Sequence, residues 1–226
     1  MSTPDPAPGG DAALDAAPTS APSRTERIHA AVLAAAEEVF LRDGYVGASM
    51  DEVARLAGAS KQTVYKHFGS KQQLFIDLVT SMTVTTGDPI GHETADASGD
   101  VAETLTALAV SMLDAVLDPR ILRLRRLVIG EANRFPELGR ALFEHGPARA
   151  MAGVQRRLQA WIDAGALPPH DTGTAAQHYN WLVMGAPLNA AMLLGDEAIP
   201  SPGQRRAHAK AAVAALLRSI GAPVAA

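Results

Sequence analysis

Lys61, Gln62, Thr63, Lys66 and His67 fall within seven consecutive positions, with Ser60 just before them and Tyr65 among them. Ammonium, amide, hydroxyl and imidazole groups of this kind donate to and accept from the edges of base pairs in a major groove. On a helix over 61–67, Val64 turns inward, as does Phe68 just past its end, and the polar side chains stay outside. Tyr65 adds a hydroxyl for a phosphate. Lys71 stands at the first turn of the next helix. There a cation and free backbone N–H groups converge on one phosphate oxygen. Ser49, opening the preceding helix, can serve a second phosphate. Taken singly, each of these residues also suits a solvated helix face. The chemistry is recognition rather than bond making, and it depends on how the residues are positioned.

The surrounding sequence supplies the positioning. A helix is expected over 25–43, with Thr25 as its cap, Ile28, Val32, Ala35, Ala36, Val39 and Phe40 on one face, and Gly44 ending it. Ser49 with Glu52 reads as a capping box for a second helix, in which Val53, Leu56 and Ala57 face inward. Gly58 makes a tight turn, Ser60 caps the recognition helix and Gly69 stops it. Ser70 with Gln73 opens a fourth helix carrying Leu74, Phe75, Leu78 and Met82. Two short helices joined by a tight glycine turn make a helix-turn-helix.

The rest of the 226 residues carry helical patterns with no strand alternation and no repeat. Helices are expected over 100–117, 120–133, 136–163 with an interruption near Gly146-Pro147, 172–194 and 203–220. The expected architecture is all-α. Residues 1–23 form a Pro/Ala/Gly-rich disordered tail, 24–70 a DNA-binding unit, and 71–226 a bundle for ligand binding and dimerisation, with a mobile loop at 87–99. A tail acting as a groove-reading arm is disfavoured by Asp5, Asp11 and Asp15.

A formal charge of −4 excludes a polycation that coats nucleic acid, so contact with DNA must come from a local patch. The absence of cysteine excludes thiolate zinc sites, disulfides and cysteine nucleophiles. No apolar run approaches the ~20 residues of a membrane span, and the start lacks a secretion signal. A cytoplasmic protein without a membrane partner is expected. No phosphate-cradling loop, nucleophile elbow, zinc helix or carboxylate pair appears, so neither catalysis nor a cofactor is expected. An all-α enzyme or a protein-binding adaptor lacking such signatures is the rival class.

The stretch 25–75 resembles the DNA-binding domain of TetR-type bacterial regulators. The resemblance is carried by Gly44-Tyr45, Ser49, the Ala-x-x-Ala-Gly-x-Ser turn from Ala54 to Ser60, then Tyr65, Phe68 and Lys71. It implies DNA contacts from Gln62, Thr63, Tyr65, Lys66 and His67, and a phosphate contact from Lys71. Residues 126–138 resemble the AefR-like subgroup, which implies a ligand-binding and dimerising bundle. The implied function is a homodimeric repressor on a palindromic operator, released by a small-molecule effector, with an activator as the alternative.

Ala175, Ala176, Tyr179, Leu182, Val183, Ala186 and Ala190, with Ala209, Val213, Leu216 and Leu217, give the last two helices wide apolar faces. They suit a four-helix interface between subunits, or else closure of the chain's own core. Candidate pocket residues are Met112, Leu127, Phe135, Trp161, Tyr179, Trp181 and Met184. Glu131, Arg134, His145, His178 and Asn180 are the polar candidates. Glu131 and Arg134 also suit a helical ion pair. No spacing gives His145 and His178 the third ligand a metal would need.

Overall fold

A computed structural model describes residues 23–85 and 99–222. The expected tail, Ser23 excepted, and the expected loop, Gly99 excepted, lie outside the described residues. The protein is all-α. In chain order the helices are α1 Arg24–Gly47, α2 Met50–Leu56, α3 Lys61–Phe68, α4 Lys71–Thr85, α5 Val101–Val116, α6 Pro119–Glu131, α7 Pro136–Phe143, α8 Arg149–Asp163, α9 Thr172–Leu194 and α10 Pro202–Ser219.

Local capping explains most boundaries, with three departures from expectation. Ser23, not Thr25, caps α1: its Oγ accepts from the Glu26 N–H at 3.2 Å, and Glu26 accepts from the Ser23 N–H at 2.6 Å. Ser49 caps α2 through the Asp51 N–H, but the expected reciprocal bond from Glu52 is not made. Glu52 is held instead by Arg55 at 2.8 Å, with Arg42 beyond it. Gln73 likewise turns to Asp77, leaving Ser70 as a one-sided cap.

Gly44 does not end α1 outright. It kinks the helix with φ +73° and ψ 172°, a region open essentially to glycine alone. The kink swings Tyr45 inward, where its ring packs 5.9 Å from Phe40, 5.2 Å from Phe75 and 4.6 Å from Phe135. Near Gly146-Pro147 the chain is not interrupted. α7 passes into α8 through a π-helical turn, Glu144–Ala148, which absorbs the proline that cannot donate a helix bond.

There are two cores. The first joins α1–α4 to one side of α6 and α7, through Val39, Phe40, Val64, Phe68, Phe75 and Val128 among others. The second joins α5, α8, α9 and α10 around Trp161, Tyr179, Leu158 and Val213. α6 serves both, since Leu124 faces the first and Leu122 the second. Because α4 puts Leu74, Phe75, Leu78, Val79 and Met82 into the first core, packing continues past residue 70 without a break.

The apolar faces expected to form an interface mostly close the subunit itself. Ala175, Ala176, Tyr179 and Val183 on α9, and Ala209, Val213, Leu216 and Leu217 on α10, are buried in the second core. Apolar residues alone do not say whether the covering partner belongs to the same chain. Leu182 and Ala186 do remain exposed, beside Trp181, Leu193 and Leu194. Pro187 lies inside α9 and has no N–H for the Val183 carbonyl one turn back. His208 of α10 occupies that carbonyl through Nε2 at 2.9 Å, pinning the two helices together.

Candidate nucleic-acid interface and effector cavity

α3 is fixed from beneath by Val64 and Phe68, and its start is set by Ser60, whose Oγ accepts from the Thr63 N–H at 3.1 Å. The Ser60 and Thr63 hydroxyls lie 2.8 Å apart, so both are already engaged with each other. Gln62, Lys66 and His67 point to solvent, and Tyr65 is 42% exposed. This is a polar face on a short rigid helix, of the kind that enters a major groove.

Lys61 is less free. Its ammonium pairs with Asp51 of α2 at 2.8 Å, and this contact raises its pKa. A phosphate would have to compete with that carboxylate or share its cation. Replacing Asp51 with asparagine removes both the competitor and a charge that repels DNA. Affinity for duplex DNA is therefore expected to rise roughly two- to tenfold, with the largest gain at low salt. Fluorescence anisotropy with a labelled duplex measures this, and an unchanged affinity would remove Lys61 from the DNA contacts.

Lys71 lies where α4 begins, yet its ammonium turns back into the protein. It donates to the Val46 carbonyl at 3.0 Å and to the Ala48 carbonyl at 2.8 Å. It also sits 5.1 Å from the centre of the Tyr45 ring. Burial pushes its pKa down, against a smaller upward pull from Glu131. Two of its three N–H groups thus hold the α1–α2 connection, leaving one to face a phosphate. The Ser49 hydroxyl next to that connection spends its acceptor on the Asp51 N–H and keeps its own hydrogen to donate.

A cavity of about 290 Å³ lies where α4, α5, α6, α8, α9 and the π-helical turn meet. Of the expected pocket residues it gathers Met112, Asn180 and Met184, together with His145 and Trp181. The others lie elsewhere. Trp161 and Tyr179 are enclosed in the second core, and the Tyr179 hydroxyl donates to the Leu105 carbonyl at 2.7 Å. Leu127 and Phe135 pack on the first core. Arg134 is exposed and its guanidinium lies 5.2 Å from the Phe135 ring. Glu131 is close enough to influence Lys71 and Tyr45. These four residues lie at the joint between α6 and the helices α1–α4. His178 is exposed on α9.

Among the lining residues not expected from the sequence, two bring in new elements of the wall. Thr83 brings α4 into the cavity wall, and Arg125 brings in a cation. Their signal was available: Arg125 follows Leu122 and precedes Val128 by three residues each, on the inward side of α6. A wider groove between α1 and α4 has carboxylates already in use, Glu37 on Arg120 and Asp77 on Gln73. Among the described residues no group of three His, Asp or Glu side chains could hold a metal, and no helix is long and apolar enough to cross a membrane.

Comparison with known proteins agrees with this arrangement. The family model "Bacterial regulatory proteins, tetR family" matches residues 32–78. The model "AefR-like transcriptional repressor, C-terminal domain" matches residues 103–221. The DNA-binding transcriptional repressor TetR of Mycobacteroides abscessus is 29% identical over 177 residues, 76% of this chain and 90% of that protein. The crystal structure of a TetR-family regulator from Mesorhizobium loti superposes with a TM-score of 0.79 at 36% identity, covering 88% of this chain and 98% of that one. A flavonoid-responsive regulator, FrrA, superposes with a TM-score of 0.73 at 27% identity, covering 85% and 96%.

Proposed function

The chain belongs to the TetR family of bacterial transcriptional regulators, and from that premise we propose that it is a homodimeric repressor released from a palindromic operator by a small-molecule effector. The carrying observation is the solvent-facing set Gln62, Tyr65, Lys66 and His67 on a helix locked from below. Lys61, Thr63 and Ser60 flank the base-reading face. Ser49 and the remaining N–H of Lys71 meet the phosphates. Residues 24–70 read DNA and 71–226 bind the effector and the second subunit. The protein works in the cytoplasm, where its operator is.

The second subunit is supported by the unpartnered apolar surface of α9, with Leu182 39% and Leu193 80% exposed. Two-fold pairing there sets the recognition helices about one DNA turn apart, ~34–36 Å, and makes the operator a near-palindrome.

Release works by shifting a population. α4 bears Lys71 at one end and Thr83 in the cavity wall at the other, ~18 Å apart at ~1.5 Å per residue. Gly146 of the π-helical turn packs near Thr83, so occupancy of the cavity bears directly on α4. An effector changes DNA affinity only by its unequal affinity for the two α4 orientations, typically ~1–3 kcal/mol of coupling.

The test is capture of genomic fragments by the purified dimer, followed by titration of the enriched duplex across salt. One near-palindromic sequence should emerge, with log affinity falling linearly in log salt. The absence of any enriched duplex at low ionic strength would end the proposal. A reporter gene behind the captured sequence gives the sign of regulation.

A further inference from the structure

Resting on the reading of this cavity as the effector site, we propose that the effector is a small amphipathic carboxylate whose head group binds Arg125 and whose apolar body lies among Met112, Met184 and Leu188. α6 carries four arginines. Arg120 pairs with Glu37, Arg126 binds the Ala191 carbonyl and Asp196, and exposed Arg123 reaches the Pro119 carbonyl. Arg125 alone has no partner among the described residues, and its Nε is fully enclosed without a hydrogen bond. It lines the cavity.

The rest of the lining has matching chemistry. It contains two arginines and His145 but no aspartate or glutamate, so nothing in the wall neutralises Arg125. A charge removed from water without a counter-ion is unfavourable, and an anion entering the cavity relieves that condition. Burial accordingly pushes the Arg125 pKa down, with no opposing charge to raise it. The planar guanidinium fork fits a carboxylate through two parallel bonds. Asn180, only 8% exposed and without a hydrogen bond among the described residues, supplies a further N–H donor to the same space.

Size and polarity narrow the class. About 290 Å³ holds roughly ten water-sized units at about 30 Å³ each, the scale of an eight-carbon acid or a short aryl-alkyl acid. Ala115, Val116, Ile121 and Leu188 make much of the remaining wall apolar. Arg125 is the enclosed, unpaired cation of a largely apolar wall, which suits a monoanion with a hydrocarbon body better than a polyanion.

Octanoate, 4-phenylbutyrate and the corresponding alcohols, octan-1-ol and 4-phenylbutan-1-ol, are the probes, titrated calorimetrically into the full-length protein. The acids should bind at least about tenfold tighter than the alcohols, since charge-assisted hydrogen bonds are roughly twice as strong as neutral ones. Arg125→Gln should abolish that preference and Arg125→Lys should keep part of it. Equal binding of acids and alcohols by the wild type, persistence of the preference in Arg125→Gln, or no binding of any probe at millimolar concentration would overturn the proposal. Should Arg125→Gln fail to fold, the wild-type comparison of acid with alcohol decides alone. Adding octanoate to the operator complex separates the two readings. Acid binding without release supports the carboxylate site and refutes its role as the effector switch.

Discussion

A chain carrying both Leu182→Asp and Leu193→Asp is expected to sediment as a monomer and to bind its operator about 10²–10⁴-fold more weakly, the range over which two linked binding modules exceed one. Leu182 is 39% and Leu193 80% exposed on the outer side of α9, away from the buried Val183 and Ala191. Aspartate at either position stays hydrated in the isolated subunit and leaves the second core intact. In an interface built on this face each new carboxylate is taken out of water against an apolar surface, which opposes association. Each subunit would retain its recognition helix, so weak half-site binding should survive. Analytical ultracentrifugation with anisotropy titrations on full and half operators checks both parts. A double variant that remains dimeric would move the interface away from α9.

The second large effect concerns Lys71. Lys71→Met keeps the stem volume and removes the ammonium from the Val46 and Ala48 carbonyls. Hydrogen bonds to charged groups contribute about 1.5–3 kcal/mol when enclosed, and one of these two is at the surface, so a loss of about 1–2 kcal/mol is expected. At ~2–4 °C per kcal/mol for a chain of this size, the melting midpoint should fall by about 2–8 °C. The connection loosened is the one that delivers Ser49 and α2 beneath α3. Re-ordering it on DNA costs a similar amount, or roughly 5- to 30-fold in affinity. The salt slope separates two roles. A lysine that only contacts phosphate loses about one unit of slope and no thermal stability, whereas one that only positions the connection loses stability with the slope unchanged. With two N–H groups turned inward and one outward, Lys71 should show both changes. A variant with unaltered melting would refute the positioning role.

How much was legible in the sequence follows the distance between partners. Ser60 with Thr63, Ser70 with Gln73 and the positive φ of Gly58 all join residues within one helical turn, and all are readable from spacing. Where a turn offers several partners, spacing does not choose: Glu52 has Ser49 on one side and Arg55 on the other, and the guanidinium prevails. The clamp of Lys71 on carbonyls more than twenty residues away is tertiary, as is the meeting of Tyr45 with Phe135. Nothing in local periodicity marks either. Phe135 therefore read as a pocket wall when it is a brace for Tyr45. Met112, Asn180 and Met184 reached the cavity because they combine inward positions with facing helices. Trp161 and Tyr179 share those properties and pack fully into the second core, since hydrophobic character does not distinguish a filled interior from a hollow one.

The imino ring at 187 also ties two positions into one inherited unit. His208 is useful there because the Val183 carbonyl has been vacated by Pro187. A descendant with an ordinary amide at 187 would bring a helix N–H to compete with the imidazole for that acceptor. One that lost the imidazole would leave the carbonyl bare at the seam between α9 and α10. The two substitutions should therefore be tolerated together more readily than apart, and sequences that drift at one of these positions should drift at the other.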